Sequence, residues 1–114
     1  MNSFATGCGS QATGIGSNAN GWGAVASGTG ASSLGINATA SGQGSFAFGT
    51  YATASATDTV AIGTLANASG RAALALGGQS TAAGQSAVAL GYLAVAQGNY
   101  GIAQGDSSVA GATG

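Results

Sequence analysis

The sequence predicts an all-β chain folded as a parallel β-roll, a solenoid of about eight 14-residue turns. Three observations lead there. Glycine occupies 7, 21, 35, 49, 63, 77, 91 and 105, and it also holds the half-period positions 14, 28, 42, 70, 84 and 98, with Ala at 56 and 112. Alanine fills 12, 26, 40, 54, 68, 82, 96 and 110 without a break. Finally, the 114 residues include 23 Gly and no Pro, without the every-third-residue glycine of collagen, and a flexible linker has no reason to keep a column of alanine.

Cut after each invariant glycine, the units read TYATASATDTVAIG, TLANASGRAALALG, GQSTAAGQSAVALG and YLAVAQGNYGIAQG. Each holds two strand-like pieces. The third to seventh positions read A-x-A-x-G and the tenth to fourteenth S/A-x-A-x-G, alternating with the period of two that sends successive side chains to opposite faces of a strand. Two-residue corners join the pieces, with glycine beside each to permit backbone angles that a Cβ resists.

Reach decides which face points inward. A corner spanning three Cα steps covers at most about 10 Å when stretched, so the two sheets it joins lie close together. Facing sheets normally stand about 10 Å apart to hold Val and Leu; a tighter gap admits Ala, Gly and Ser. The small-residue columns therefore predict the interior. The opposite facing would bury Thr39, Ser41, Asn67 and Ser69 without evident partners.

The other columns then point outward. On one strand they carry Thr39, Ser41, Thr53, Ser55, Asn67 and Ser69, a wettable surface. On the other they carry Phe46, Phe48, Val60, Ile62, Leu74, Leu76, Val88, Leu90 and Ile102, a continuous apolar stripe on the outside of the roll. A monomer rarely leaves such a patch in water. Fully burying one such side chain contributes roughly 1.5–3 kcal/mol, which predicts that the stripe is a trimer interface and that the main hydrophobic core forms between chains. Towards the N-terminus the same positions become Asn18, Asn20, Ser32 and Leu34, which predicts less tightly joined first turns.

Composition restricts the chemistry. One Arg, two Asp and no Lys, Glu or His supply no proton-transfer pair, no activated nucleophile and no metal shell, so neither an enzyme nor a cofactor or metal site is expected. A net charge of −1 gives no field for nucleic acid or an anionic membrane. The solitary Cys8 excludes an intrachain disulfide. Asp58 and Arg71 fall in adjoining corner columns of successive turns, an arrangement that predicts an exposed salt bridge. Trp22, Ile36, Tyr51, Leu65, Tyr92, Leu93 and Tyr100 sit at or beside corners, outside both core and stripe. Tyr and Trp combine apolar area with a polar handle, so Trp22, Tyr51, Tyr92 and Tyr100 form the candidate ligand surface.

The unit, clearest as DTVAIGTLANASG (58–70) and QSAVALGYLAVAQG (85–98), resembles the head repeats of YadA-like trimeric autotransporter adhesins over essentially the whole chain. The resemblance implies a left-handed roll assembled as a parallel homotrimer; a right-handed crossover is what strand physics alone favours. It also implies display on a Gram-negative surface, anchored in the outer membrane by segments outside this chain, and attachment to host matrix protein, a cell-surface receptor or other bacteria. Collagen-type binding in such heads is associated with N-S-V-A-I-G-x-x-S. The nearest run here, Asp58 to Ala66, departs from it at Asp58, Thr59 and Ala66. No charged neck or heptads follow Gly105, and MNSFATGCGS lacks a signal-peptide pattern, so residues 1–114 are expected to be a single head domain whose export is encoded elsewhere.

Two other classes compete: a structural trimeric fibre of phage type, and an ice-binding β-solenoid. The latter needs a regular Thr lattice, whereas the outer columns read Gln11 and Thr13, Val25 and Ser27, Thr81 and Ala83, Val95 and Gln97. A freezing assay is therefore expected to show no thermal hysteresis; a clear positive would favour the ice-binding class.

Overall fold

Residues 2–111 are described by a computed structural model, and every regular element in them is a short strand. The first sheet comprises β1 (Phe4–Thr6), β3 (Asn18–Asn20), β5 (Ser32–Leu34), β7 (Phe46–Phe48), β9 (Val60–Ile62), β11 (Leu74–Leu76), β13 (Val88–Leu90) and β15 (Ile102–Gln104). The second comprises β2 (Gln11–Ala12), β4 (Val25–Ala26), β6 (Thr39–Ala40), β8 (Thr53–Ala54), β10 (Asn67–Ala68), β12 (Thr81–Ala82), β14 (Val95–Ala96) and β16 (Val109–Ala110). The chain passes from one sheet to the other at every corner. All pairings are parallel with a shift of 14 residues, Val60 against Leu74 and Asn67 against Thr81 for example. Stacked this way, eight turns form a thin slab of 40 × 21 × 11 Å.

The interior is made of methyl groups. Ala19, Ala47, Ala61, Ala75, Ala89 and Ala103 from the first sheet face Ala26, Ala40, Ala54, Ala68, Ala82 and Ala96 from the second, all essentially inaccessible to solvent. The largest fully buried side chain is Thr59. A slab this thin has no room for Val or Leu between its sheets, so the facing that buries small residues is the one adopted. The hydroxyls inside are mostly satisfied locally: Ser17, Ser45 and Thr59 donate to the carbonyls of Gly14, Gly42 and Ala56 at 2.7, 2.7 and 2.8 Å. Ser33 replaces an alanine of the first sheet, and its Oγ is buried without a partner.

The corners are the expected two-residue connections with glycine beside them; the unexpected feature is the backbone conformation of their second residue. They are four-residue turns closed by a backbone bond, as in Ala66 N–H to the Gly63 carbonyl at 3.2 Å and Ala73 N–H to the Gly70 carbonyl at 3.1 Å; at Ala56–Thr59 the Thr59 hydroxyl closes the turn instead, donating to the Ala56 carbonyl at 2.8 Å. Positive φ at the third residue, 62° at Leu65 and 58° at Ala72, is the type II signature that ordinarily selects glycine. Here Gly fills that place at 9, 16, 23, 30 and 44, while residues carrying a Cβ fill it from Asn37 on in the other described turns, among them Tyr51, Asp58, Leu65, Gln79, Leu93 and Tyr100. The conformation is imposed by the ladder: Tyr51 N–H donates to Ile36 O at 2.9 Å and Leu65 N–H to Thr50 O at 2.9 Å, so each corner hydrogen-bonds to the corner of the preceding turn.

The periodic glycines have two separate causes. Gly63 adopts a φ of +127°, and a Cβ there would lie 2.7 Å from the Gly77 carbonyl carbon. Gly70 has no positive φ, yet its Cβ would stand 2.0 Å from Gly84 O, so close stacking favours glycine in this column, with Ala56 as the described exception. Ala112, the expected second exception in that column, lies outside the described residues.

The fold predicts that Gly63→Ala and Ala68→Leu each destabilise the chain by about 1–3 kcal/mol, through backbone clash and overpacking respectively. The exposed Ser69→Ala should change stability by less than about 0.5 kcal/mol. Urea denaturation of the three variants checks the ordering.

Candidate functional site

Among the described residues no cavity opens and no cluster of metal-ligating side chains forms. The surfaces on offer are the two sheet faces and the two corner edges.

The nine predicted stripe residues lie on one surface. Alternation in the three-residue strands turns Ala47, Ala61, Ala75 and Ala89 inward, and so turns the residues on either side outward. Parallel register then stacks Phe46, Val60, Leu74, Val88 and Ile102 in one column and Phe48, Ile62, Leu76 and Leu90 beside it. Phe46 and Phe48 stack with ring centroids 6.1 Å apart. Val60, Ile62, Leu74, Val88 and Leu90 are half-buried by their neighbours above and below, whereas Phe48 and Ile102 are exposed. Stacking within the chain therefore covers part of this surface and leaves a broad apolar face. Phe4 and Leu34 extend it towards the N-terminus, both exposed; their positions in the repeat were the available signal.

The candidate ligand residues divide between two edges. Trp22, Tyr51 and Tyr92 occupy the corners that lead from the first sheet to the second, together with Ile36, Leu65 and Leu93. Cross-turn bonds fix their stacking, with Asn37 N–H on Trp22 O at 2.8 Å and Tyr51 N–H on Ile36 O at 2.9 Å. The Tyr92 ring leans over Gly78, where an added Cβ would be 3.4 Å from the ring. All six side chains are exposed, forming a ridge parallel to the solenoid axis, with Gly78 and Gln79 as a gap before Tyr92. Tyr100 belongs to the other set of corners, with Ile15 and Arg71, and does not join the ridge.

Two further expectations are corrected or narrowed. Asp58 stacks on Ala72 and Arg71 on Thr57, one residue out of step, and among the described residues no ion pair forms. In the run 58–66, Thr59 is 0% exposed and Ala61 and Ala66 are buried, so that stretch shows a partner only Asp58, Val60, Ile62, Thr64 and Leu65. Cys8 is exposed on a corner of the first turn.

Positive φ is unfavourable by roughly 1–2 kcal/mol for a residue carrying a Cβ. Because Leu65 makes its cross-turn bond through the backbone and its side chain is exposed, Leu65→Gly should leave the chain as stable or up to about 1 kcal/mol more stable, measured by urea denaturation; a marked loss would mean that the side chain packs within its own chain.

A family model described as "YadA head domain repeat (2 copies)" matches residues 26–52, 40–66, 54–80, 68–94 and 82–108. Successive matches step by 14 residues (40 − 26), the spacing of the strand register. No curated protein matches the chain.

Proposed function

Because the chain belongs to the YadA head domain repeat family, whose members form heads of trimeric autotransporter adhesins, we propose that it is a trimeric display head that attaches a bacterium to host matrix, host cells or other bacteria. The observation carrying this reading is the apolar face of the first sheet. Its side chains are too large for the alanine interior and only half covered by one another, and a second and third copy of the chain would cover them. On this reading Phe46, Phe48, Val60, Ile62, Leu74, Leu76, Val88, Leu90 and Ile102 form the interface.

Attachment is assigned to the ridge of Trp22, Ile36, Tyr51, Leu65, Tyr92 and Leu93, with Tyr100 on the opposite edge as a separate contact. Three parallel copies would present three such ridges. Weak contacts repeated on a rigid body reinforce one another through effective concentration, which suits a surface whose charges are confined to Asp58, Arg71 and Asp106. The extracellular surface is the corresponding location, with the anchor supplied by other segments.

Sedimentation at micromolar concentration is expected to give a trimer. Ile62→Asp should dissociate or unfold it and Thr53→Asp on the wet face should not, whereas equal effects would mean that the faces are assigned wrongly. On immobilised matrix proteins and glycans, Tyr51→Ala combined with Tyr92→Ala should weaken retention about tenfold or more while the trimer persists. Unchanged retention across the array would remove the ridge as the contact surface.

A further inference from the structure

An interface built from a repeating surface faces a problem of register. Val60 and Ile62, Leu74 and Leu76, Val88 and Leu90 recur at one-turn intervals of about 5 Å. Sliding one copy past another by a turn replaces most contacts with equivalent ones and uncovers only a terminal layer. Apolar burial is non-directional and discriminates weakly among such arrangements. At the N-terminal end the same two columns change character. There Thr6, Asn18 and Asn20 stand between Phe4 and Leu34. Asn20 Nδ2 donates to Asn18 Oδ1 at 2.8 Å and Thr6 Oγ1 donates to Asn20 Oδ1, joining three side chains into one patch. The Asn18 amide nitrogen finds no acceptor in its own chain among the described residues, and one Asn20 N–H is likewise left over.

We infer that the patch of Thr6, Asn18 and Asn20 sets the register of the homotrimer, an inference that rests on the first-sheet face being the trimer interface. Rotation about a three-fold axis parallel to the solenoid keeps every residue at its own height, so a parallel, in-register assembly brings the three patches to one level. Their unused amide donors and acceptors then meet one another. A shift of one turn sets Asn18 and Asn20 at the height of Ser32 and Leu34, and a shift of two turns sets them against the Phe46 and Phe48 layer. An antiparallel copy would place the patch towards the opposite end. In these arrangements amide groups are taken from water without full replacement, which is far less favourable than pairing them. A single buried Asn selects register in coiled coils by the same physics.

The test is photo-crosslinking of mixed isotope-labelled and unlabelled chains carrying Leu76→p-benzoylphenylalanine, with partner positions read by mass spectrometry and the trimer verified by sedimentation. With the native patch, intermolecular crosslinks should fall within one turn. In N18V/N20I, sedimentation should still report trimers, and crosslinks displaced by 14 residues should rise about tenfold or more over the native patch. N20L should show a smaller rise, and N67V, which removes an exposed Asn from the other sheet, none. A native-like single register in both N18V/N20I and N20L trimers overturns the inference. A monomeric parent chain would instead overturn the assembly reading on which it rests.

Discussion

The width of the space between the two sheets governs the rest of this molecule. Four-residue turns carry the chain from one sheet to the other, and a turn that short brings the sheets too close for any side chain much larger than alanine. Hydrophobic burial ordinarily pulls the largest apolar groups inward. Here sterics prevail, and Val, Leu, Ile and Phe are displaced to the outside of the first sheet. A chain of this kind acquires little stabilisation from its own core per residue and depends on its backbone ladders, which continue unbroken through strands and corners alike.

That arrangement connects fold to function. The groups that cannot be packed inside are ordered into columns by the parallel register, so the excluded apolar area is a flat, repeated face. The corners, held by their own cross-turn hydrogen bonds, accept almost any side chain, including Trp, Tyr and Leu, without disturbing the core. One scaffold thus presents a flat apolar face and a variable edge, which the display role proposed for a YadA-type head assigns to self-association and to ligand contact respectively.

Much of the fold was legible in the residues because each constraint acts on every turn and leaves a column. Ala68 and Gly70 are interior and close-stacked, and their equivalents recur at the same phase, so the turn length, the two strands and the inward face all follow from periodicity. Features that depend on one-residue offsets within a corner were less visible. The type II turns place positive φ at Leu65 and Tyr100, residues that sequence patterns associate with strands; the requirement comes from hydrogen bonds to another turn 14 residues away. The same offset separates Asp58 from Arg71, whereas Tyr100 lies half a period out of phase with Tyr51 and so on the opposite edge, a placement the 14-residue repeat already contains. Ser33 stands out in the sequence as the one serine in an alanine column, but that its buried hydroxyl lacks a partner depends on packing the sequence does not display.

The central claim is that bulky apolar side chains leave the interior of each roll and become the interior of the assembly. Solvent paramagnetic relaxation enhancement of methyl groups in the assembled protein tests it directly. The account predicts that Val60, Ile62, Leu74 and Val88 methyls are strongly protected from a soluble paramagnetic probe while the Thr53 methyl on the opposite face is not. Stripe methyls relaxing as fast as that of Thr53 would contradict it.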